Sequence, residues 1–261
     1  MAEQESSARA ALVTGGGRGI GQAIALALAE AGFAVAINDL AQSEEAAETL
    51  QRLAAAGVRA GFVAGDVAAI EGHAALLDAA EAAVGPLTTL VNNAGVSVAH
   101  RGDLLDVTPE SFDRCLAVNA RGGFFLTQRF AKRLVRRARP ADIHHAIITV
   151  TSSNAQAVSI ARGEYCVSKA AAAMTSRLFA VRLAPEGIGS YDIQPGIIET
   201  AMTAVVRDGY ARRVSEGLTP LPRMGQPEDI ARIAVALARG DFAFAIGQTV
   251  QADGGLLIRH Y

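Results

Sequence analysis

The chain has 261 residues, 51% hydrophobic and 19% charged, enough apolar material for a sizeable core in one large α/β domain or two small ones. A net charge of −2 argues against a nucleic-acid partner held by bulk electrostatics, and no apolar run reaches the roughly eighteen residues a membrane span needs. The two cysteines, Cys115 and Cys166, cannot form a tetrathiolate metal site or a disulfide scaffold, and their scarcity fits a reducing cytoplasm.

The start of the chain, Met1-Ala2-Glu3-Gln4-Glu5-Ser6-Ser7, is polar and acidic, unlike a secretory signal, and residues 1–8 are expected to be a disordered leader. From residue 9 onward short apolar runs alternate with longer helical ones. Strands are expected at 10–14, 34–38, 58–64, 89–92, 145–151, 188–194 and 246–251. Helices are expected at 20–31, 43–56, 70–84, 109–137, 164–184, 200–217 and 227–238. Strand then helix, repeated along 9–261, predicts one α/β domain with a doubly wound, parallel seven-stranded sheet and helices on both faces. The strands read as continuous apolar runs, as strands buried on both faces should. Ligands of such sheets bind beyond the carboxyl ends of the strands, so the segments just after each strand carry the functional reading.

After the first strand comes Thr14-Gly15-Gly16-Gly17-Arg18-Gly19-Ile20-Gly21. Glycines let a backbone turn sharply and approach a pyrophosphate, which the following helix N-terminus attracts. The strict Gly-x-Gly-x-x-Gly spacing fails at Gln22, and no Walker Lys-Ser or Lys-Thr follows. A purely structural glycine turn is the competing reading. Asp39 ends the second strand, where a carboxylate can accept hydrogen bonds from ribose hydroxyls and repel a 2′-phosphate. That favours NAD over NADP. Arg18 pulls the other way, and Asp39 has a competing reading as a helix N-cap. Asp66, after the third strand, suits either an adenine amino group or a turn.

The basic cluster Arg129, Lys132, Arg133, Arg136, Arg137 and Arg139 falls at the end of a predicted helix, where cations complement the macrodipole. Ser152 follows the fifth strand, and Tyr165-Cys166-Val167-Ser168-Lys169 opens an alanine-rich helix. Residues four apart share a helix face, so the Lys169 ammonium would stand beside the Tyr165 phenol. A fixed cation favours a phenolate, which can then exchange a proton near neutral pH. Ser152 would orient the same substrate oxygen. The chain holds only two lysines, Lys132 and Lys169, against twenty-two arginines, so chance rarely places a lysine four residues after a tyrosine.

Taken in order, these motifs resemble the classical short-chain dehydrogenase/reductase family over roughly residues 9 to 257. The match runs through Gly15-x-x-x-Gly19-Ile20-Gly21, Asp66-Val67, Asn92-Asn93-Ala94-Gly95, Val118-Asn119, Ser152, Tyr165-x-x-x-Lys169, Pro195-Gly196, residues 227–231 and Asp253-Gly254-Gly255. The resemblance implies a Rossmann-like fold and a catalytic tetrad of Asn119, Ser152, Tyr165 and Lys169, with Asn119 holding a relay water toward Lys169. It implies that Asn92, Asn93, Ala94 and Gly95 steady the sheet and line the cofactor floor. Lys169 would grip the nicotinamide ribose, Pro195, Gly196 and Ile198 would pack near the nicotinamide, and Thr200 would contact its carboxamide or phosphates. It also implies a homotetramer pairing helices 109–137 and 164–184.

One departure is Gly189-Ser190-Tyr191, where the family often has Arg-Val-Asn, which puts local packing in question. The expected activity is reversible oxidation of a secondary alcohol with NAD and no metal. Val96 to Arg101, Asn154 to Glu164 and residues 201–217 would line the substrate pocket. Arg101, Arg162, Arg207, Arg212 and Arg213 among them suggest a polar or anionic sugar or polyol derivative, although Arg162 and Glu164 equally suit solvated positions. The alternatives are an NADPH-dependent 3-oxoacyl-carrier-protein reductase, a non-catalytic dinucleotide sensor, and a sugar-nucleotide epimerase or dehydratase, which shares Tyr-x-x-x-Lys in longer chains.

Overall fold

The computed structural model describes residues 9–201, 203–204 and 207–259; the expected leader lies outside them. Seven strands form one sheet in the order β3-β2-β1-β4-β5-β6-β7, and every pairing is parallel. They are β1 (Ala10–Thr14), β2 (Ala34–Asp39), β3 (Ala60–Ala64), β4 (Thr89–Asn92), β5 (His145–Val150), β6 (Ile188–Pro195) and β7 (Thr249–Ala252). The helices are α1 (Gly19–Glu30), α2 (Glu44–Ala55), α3 (His73–Val84), α4 (Pro109–Leu116), α5 (Gly123–Arg136), α6 (Gly163–Leu183), α7 (Arg207–Arg213) and α8 (Pro227–Arg239).

The two-residue period of β1 shows how the layers form. Ala11 and Val13 point into one core with Ile24 and Leu28 of α1, Leu53 of α2 and Ile230 of α8. Ala10 and Leu12 point into the other with Leu77 of α3, Phe130 of α5 and Leu183 of α6. Strand residues alternate faces, so a continuous apolar run buries on both sides. Each fully buried Leu or Ile contributes about 1.5–3 kcal/mol. The chain leaves β1 toward β2 and β3, then returns to place β4 on the other flank of β1. That reversal opens a crevice at the carboxyl ends of β1 and β4.

Three expected elements differ. Residues 109–137 do not form one helix: α4 and α5 are separated by a π-helical turn, Ala117–Gly122. Asn119 bonds to the backbone of Val96 there, and a Cβ on Gly122 would collide with the Val67 carbonyl, so tertiary contacts override regular winding. Within 200–217, Thr203 Oγ1 donates to the Ile198 carbonyl at 2.7 Å and the Thr200 carbonyl at 3.0 Å. Such side-chain bonding competes with a helix, and among the described residues α7 begins only at Arg207. The last strand starts at Thr249 rather than 246, because Gly247 N–H donates to Ser190 O and Gln248 N–H to Ala245 O in a turn.

The unusual Gly189-Ser190-Tyr191 stretch packs by compensation. The Tyr191 ring folds over Gly189, where a Cβ would meet it, and Tyr191 Oη lies 3.2 Å from His144 Nε2. The basic cluster at the end of α5 reaches back to α3. Arg133 pairs with Asp78 at 2.6 Å and Glu81 at 2.9 Å, and Arg137 pairs with Glu81 at 2.6 Å.

Candidate active site

A cleft of about 1150 Å³ runs along the carboxyl ends of the strands. Its glycine-rich end is tightly stapled. Thr14 Oγ1 accepts from the Asn93 and Ala94 amides, each at 3.0 Å, and Asn93 Nδ2 donates to Thr14 O and Gly15 O, each at 3.0 Å. Gly15 has φ +61°, and a Cβ there would lie 2.9 Å from Ala94 Cα; a Cβ on Gly21 would overlap the Gly15 carbonyl oxygen. No side chain caps the N-terminus of α1, and its first turn holds no acid. Its free N–H groups and partial positive charge therefore face the cleft. Backbone packed this closely beside open amides fits a pyrophosphate.

Asp39 also lies on the cleft wall. Its Oδ1 accepts from Leu40 N–H at 2.9 Å. It does not cap α2, because Ser43 does so by accepting from Ala46 N–H at 3.3 Å. Asp66 serves a turn through one oxygen, which accepts from Ala68 N–H at 2.8 Å, and still faces the cleft with Val67.

At the other end α6 carries Tyr165 and Lys169 to the wall, with Ser152 from the end of β5. All three are buried apart from that face. Lys169 Nζ lies 5.7 Å from the Tyr165 ring centroid and donates to Val150 O at 3.1 Å, leaving two protons free. Ser152 Oγ accepts from Asn154 N–H at 3.1 Å, so its own proton remains free for a substrate oxygen. Pro195, Gly196, Ile198 and Thr200 line the same cleft, as do Gly95, Arg18, Gly19 and Ile20.

Asn119 stands behind the wall. Its Oδ1 accepts from Val96 N–H at 2.8 Å, and its Nδ2 donates to Val96 O and Ser168 Oγ, each at 2.9 Å. Both amide protons are committed, so a relay water would have to be held through an acceptor oxygen. It pins Val96, the neighbour of Gly95; a Cβ added at Gly95 would lie 3.2 Å from Asn119 Oδ1 and 3.4 Å from Lys169 Nζ.

Glu164 is buried and accepts from Ser111 Oγ at 2.6 Å, so it is not a solvated neighbour of Tyr165. Asn154, expected only as pocket lining, also ties Ser152 to Arg162: Arg162 Nη2 donates to Asn154 Oδ1 at 2.6 Å. An Asn two residues after a Ser is a local turn signal that would have drawn attention to it. Equally unforeseen is the buried Asp192, which accepts from Thr151 Oγ1 at 2.6 Å and Gln194 Nε2 at 2.8 Å. Burial pushes its carboxyl up from the ordinary value, and these hydrogen bonds oppose the shift.

With this geometry in place, similarity to known proteins decides the family. A family model described as enoyl-(acyl carrier protein) reductase matches residues 15–257. The chain belongs to the short-chain dehydrogenase/reductase family. A short-chain type dehydrogenase/reductase of Picea abies is 35% identical over 255 residues, covering 95% of this chain and 92% of that protein. Among solved structures, a 3-oxoacyl-[acyl-carrier protein] reductase from Brucella melitensis in complex with NAD is 40% identical with a TM-score of 0.94, covering 98% of this chain and 99% of that one. A gluconate 5-dehydrogenase from Burkholderia cenocepacia in complex with NADP and tartrate is 33% identical with a TM-score of 0.87, covering 97% and 96% respectively. The protein is an oxidoreductase acting on CH–OH groups, with a Rossmann-like fold.

Proposed function

We propose that this short-chain dehydrogenase/reductase interconverts a secondary alcohol and a ketone with NAD(H), with Tyr165 as general acid/base. The observation that carries the reading is that Tyr165, Lys169 and Ser152 line the same cleft as the glycine-rich turn. A nicotinamide dinucleotide supplies the hydride acceptor when bound. Gly15, Arg18, Gly19, Ile20 and Gly21 hold its pyrophosphate, and Asp66 and Val67 flank the adenine. Asn93, Ala94 and Gly95 form the floor, while Pro195, Gly196, Ile198 and Thr200 surround the nicotinamide end. In the oxidative direction Tyr165 takes the hydroxyl proton. Ser152 donates to the same oxygen, and Lys169 stabilises the phenolate and grips the ribose. Asn119 positions the backbone at Val96, next to Gly95, and holds a relay water toward Lys169 through an acceptor oxygen.

Asp39 supports NAD, because a carboxylate at the 2′ position hydrogen-bonds a hydroxyl and repels a phosphate. The relatives named above were solved one with NAD and one with NADP, so kinship leaves the choice to this chain's own residues. The Brucella similarity favours a second reading, reduction of a 3-oxoacyl thioester. Val167, Met174, Leu178 and Val181 form an exposed apolar stripe on α6, which supports a homotetramer pairing α4–α5 and α6. Two unpaired cysteines support a cytoplasmic setting, and no described helix is long and apolar enough to cross a membrane.

Tyr165→Phe tests the chemistry: turnover should vanish while NADH binding, followed by fluorescence titration, stays near wild type. Near-normal turnover would defeat it. Initial rates with NADH and NADPH side by side, on polyols, hydroxy acids and 3-oxoacyl thioesters, separate the two substrate readings.

A further inference from the structure

We infer that the substrate carries a compact oxyanion, a carboxylate or a phosphate, seated on Arg162 beside the carbinol. This rests on the alcohol–ketone reading above and narrows its substrate.

The cleft is electrically lopsided. Its wall carries two carboxylates, Asp39 at the end of β2 and Asp66 just after β3. Against these two the lining sets five arginines, Arg18, Arg101, Arg114, Arg162 and Arg213, and no further carboxylate among the described residues. Some arginines elsewhere are neutralised: Arg133, Arg207 and Arg223 meet carboxylates at 2.6–3.1 Å. None of the five cleft arginines has such a partner among the described residues. Glu164 does not fill the gap, since its carboxylate is buried against Ser111 and off the cleft wall.

Arg162 is the one held at the reacting centre. Its Cζ lies 5.5 Å from the Tyr165 ring centroid. Its Nη2 donates to Asn154 Oδ1, a neutral acceptor, at 2.6 Å. Asn154 is fixed in turn by its N–H to Ser152 Oγ at 3.1 Å and its Nδ2 to Ala157 O at 3.0 Å. The fork is therefore aimed by the same short turn that aims Ser152, while its charge stays uncompensated. A planar guanidinium with free N–H groups suits a planar or tetrahedral oxyanion. A neutral apolar substrate would strip water from that cation and return nothing. Ser97, Ser159 and Tyr210 add hydroxyls to the same region, which suits a hydroxylated carbon chain.

Matched compounds test this. Sorbitol, gluconate and sorbitol 6-phosphate present similar chains as neutral, carboxylate and phosphate forms. Initial rates with NAD⁺ would be read at 340 nm, and binding to the NADH-loaded protein by calorimetry, for wild type, Arg162→Gln and Arg162→Lys. An acidic member should exceed sorbitol in kcat/KM by at least about tenfold, the ordinary worth of a charged hydrogen bond. Which acid wins distinguishes carboxylate from phosphate. Arg162→Gln should raise KM for that acid at least about tenfold with a smaller change in kcat, and Arg162→Lys should recover part of it. Equal kcat/KM for neutral and acidic members, or an equal loss for both in Arg162→Gln, overturns the inference. Acid-selective binding that Arg162→Gln abolishes, without turnover of any compound, upholds the oxyanion seat and defeats the redox reading instead. Absence of acid-selective binding in the wild type overturns the seat outright.

Discussion

Replacing Gly21 by alanine probes the glycine turn directly. The new Cβ would overlap the Gly15 carbonyl oxygen by more than about 1 Å of ordinary contact distance. Helix α1 packs against α8, with Ile24, Leu28, Ile230 and Ala234 in one buried cluster, so the carbonyl must yield rather than the helix. Its movement breaks the 3.0 Å bond from Asn93 Nδ2. Losing that bond costs about 1 kcal/mol, and an unsatisfied buried carbonyl adds about 1–3. The total, about 2–4 kcal/mol, corresponds to a fall in Tm of roughly 5–15 °C for a chain of this size. The turn would also shift off the pyrophosphate, raising the Kd for NADH at least about tenfold. Gly123→Ala is the control: nothing lies within 4 Å of its added Cβ, so helix propensity alone should stabilise the protein by about 0.5–1 kcal/mol. Thermal melts and NADH titrations of both variants decide the matter. Wild-type Tm and affinity in Gly21→Ala would refute the packing argument.

Two more outcomes are expected. Asp39→Ser should raise kcat/KM with NADPH relative to NADH by about tenfold or more; an unchanged ratio in steady-state rates would remove Asp39 from cofactor choice. His145, buried at the start of β5, is pushed down to about 4 by burial. Its folded state refuses a proton that the unfolded chain accepts, so stability present above pH 6.5 is lost as pH falls toward 4. The ceiling is about 3 kcal/mol, trimmed by partial hydration to about 2. Urea melts of His145→Gln should therefore lose less stability than wild type between pH 7 and 4. Parallel slopes would contradict the reasoning.

Where an element's fate was decided by local pattern, it could be read in advance. The continuous apolar runs of Ala10–Thr14 and its sister strands announced a doubly covered parallel sheet, and the glycines after β1 announced a tight turn. The Tyr165–Lys169 spacing placed both side chains on one helix face. What escaped depended on contacts far apart in the chain. The break at Ala117–Gly122 follows from Asn119 reaching Val96 and from Gly122 meeting Val67. The commitment of both Asn119 amide protons depends on Val96 and Ser168 together. Asp192 looks like an ordinary strand residue until β5 brings Thr151 beside it.

The Val67 carbonyl is gripped from two sides: His73 Nε2 donates to it at 2.8 Å, and Gly122 presses on it from the π-helical turn. The same turn carries Asn119, whose other contacts end at Gly95 beside Lys169. A short strut thus runs beneath the groove and links Val67, the proposed nucleobase seat, to the neighbourhood of Lys169, the proposed partner of Tyr165. Lengthening that strut by one methyl at residue 122 would disturb affinity and rate together, two properties that substitutions at either end alone would alter separately.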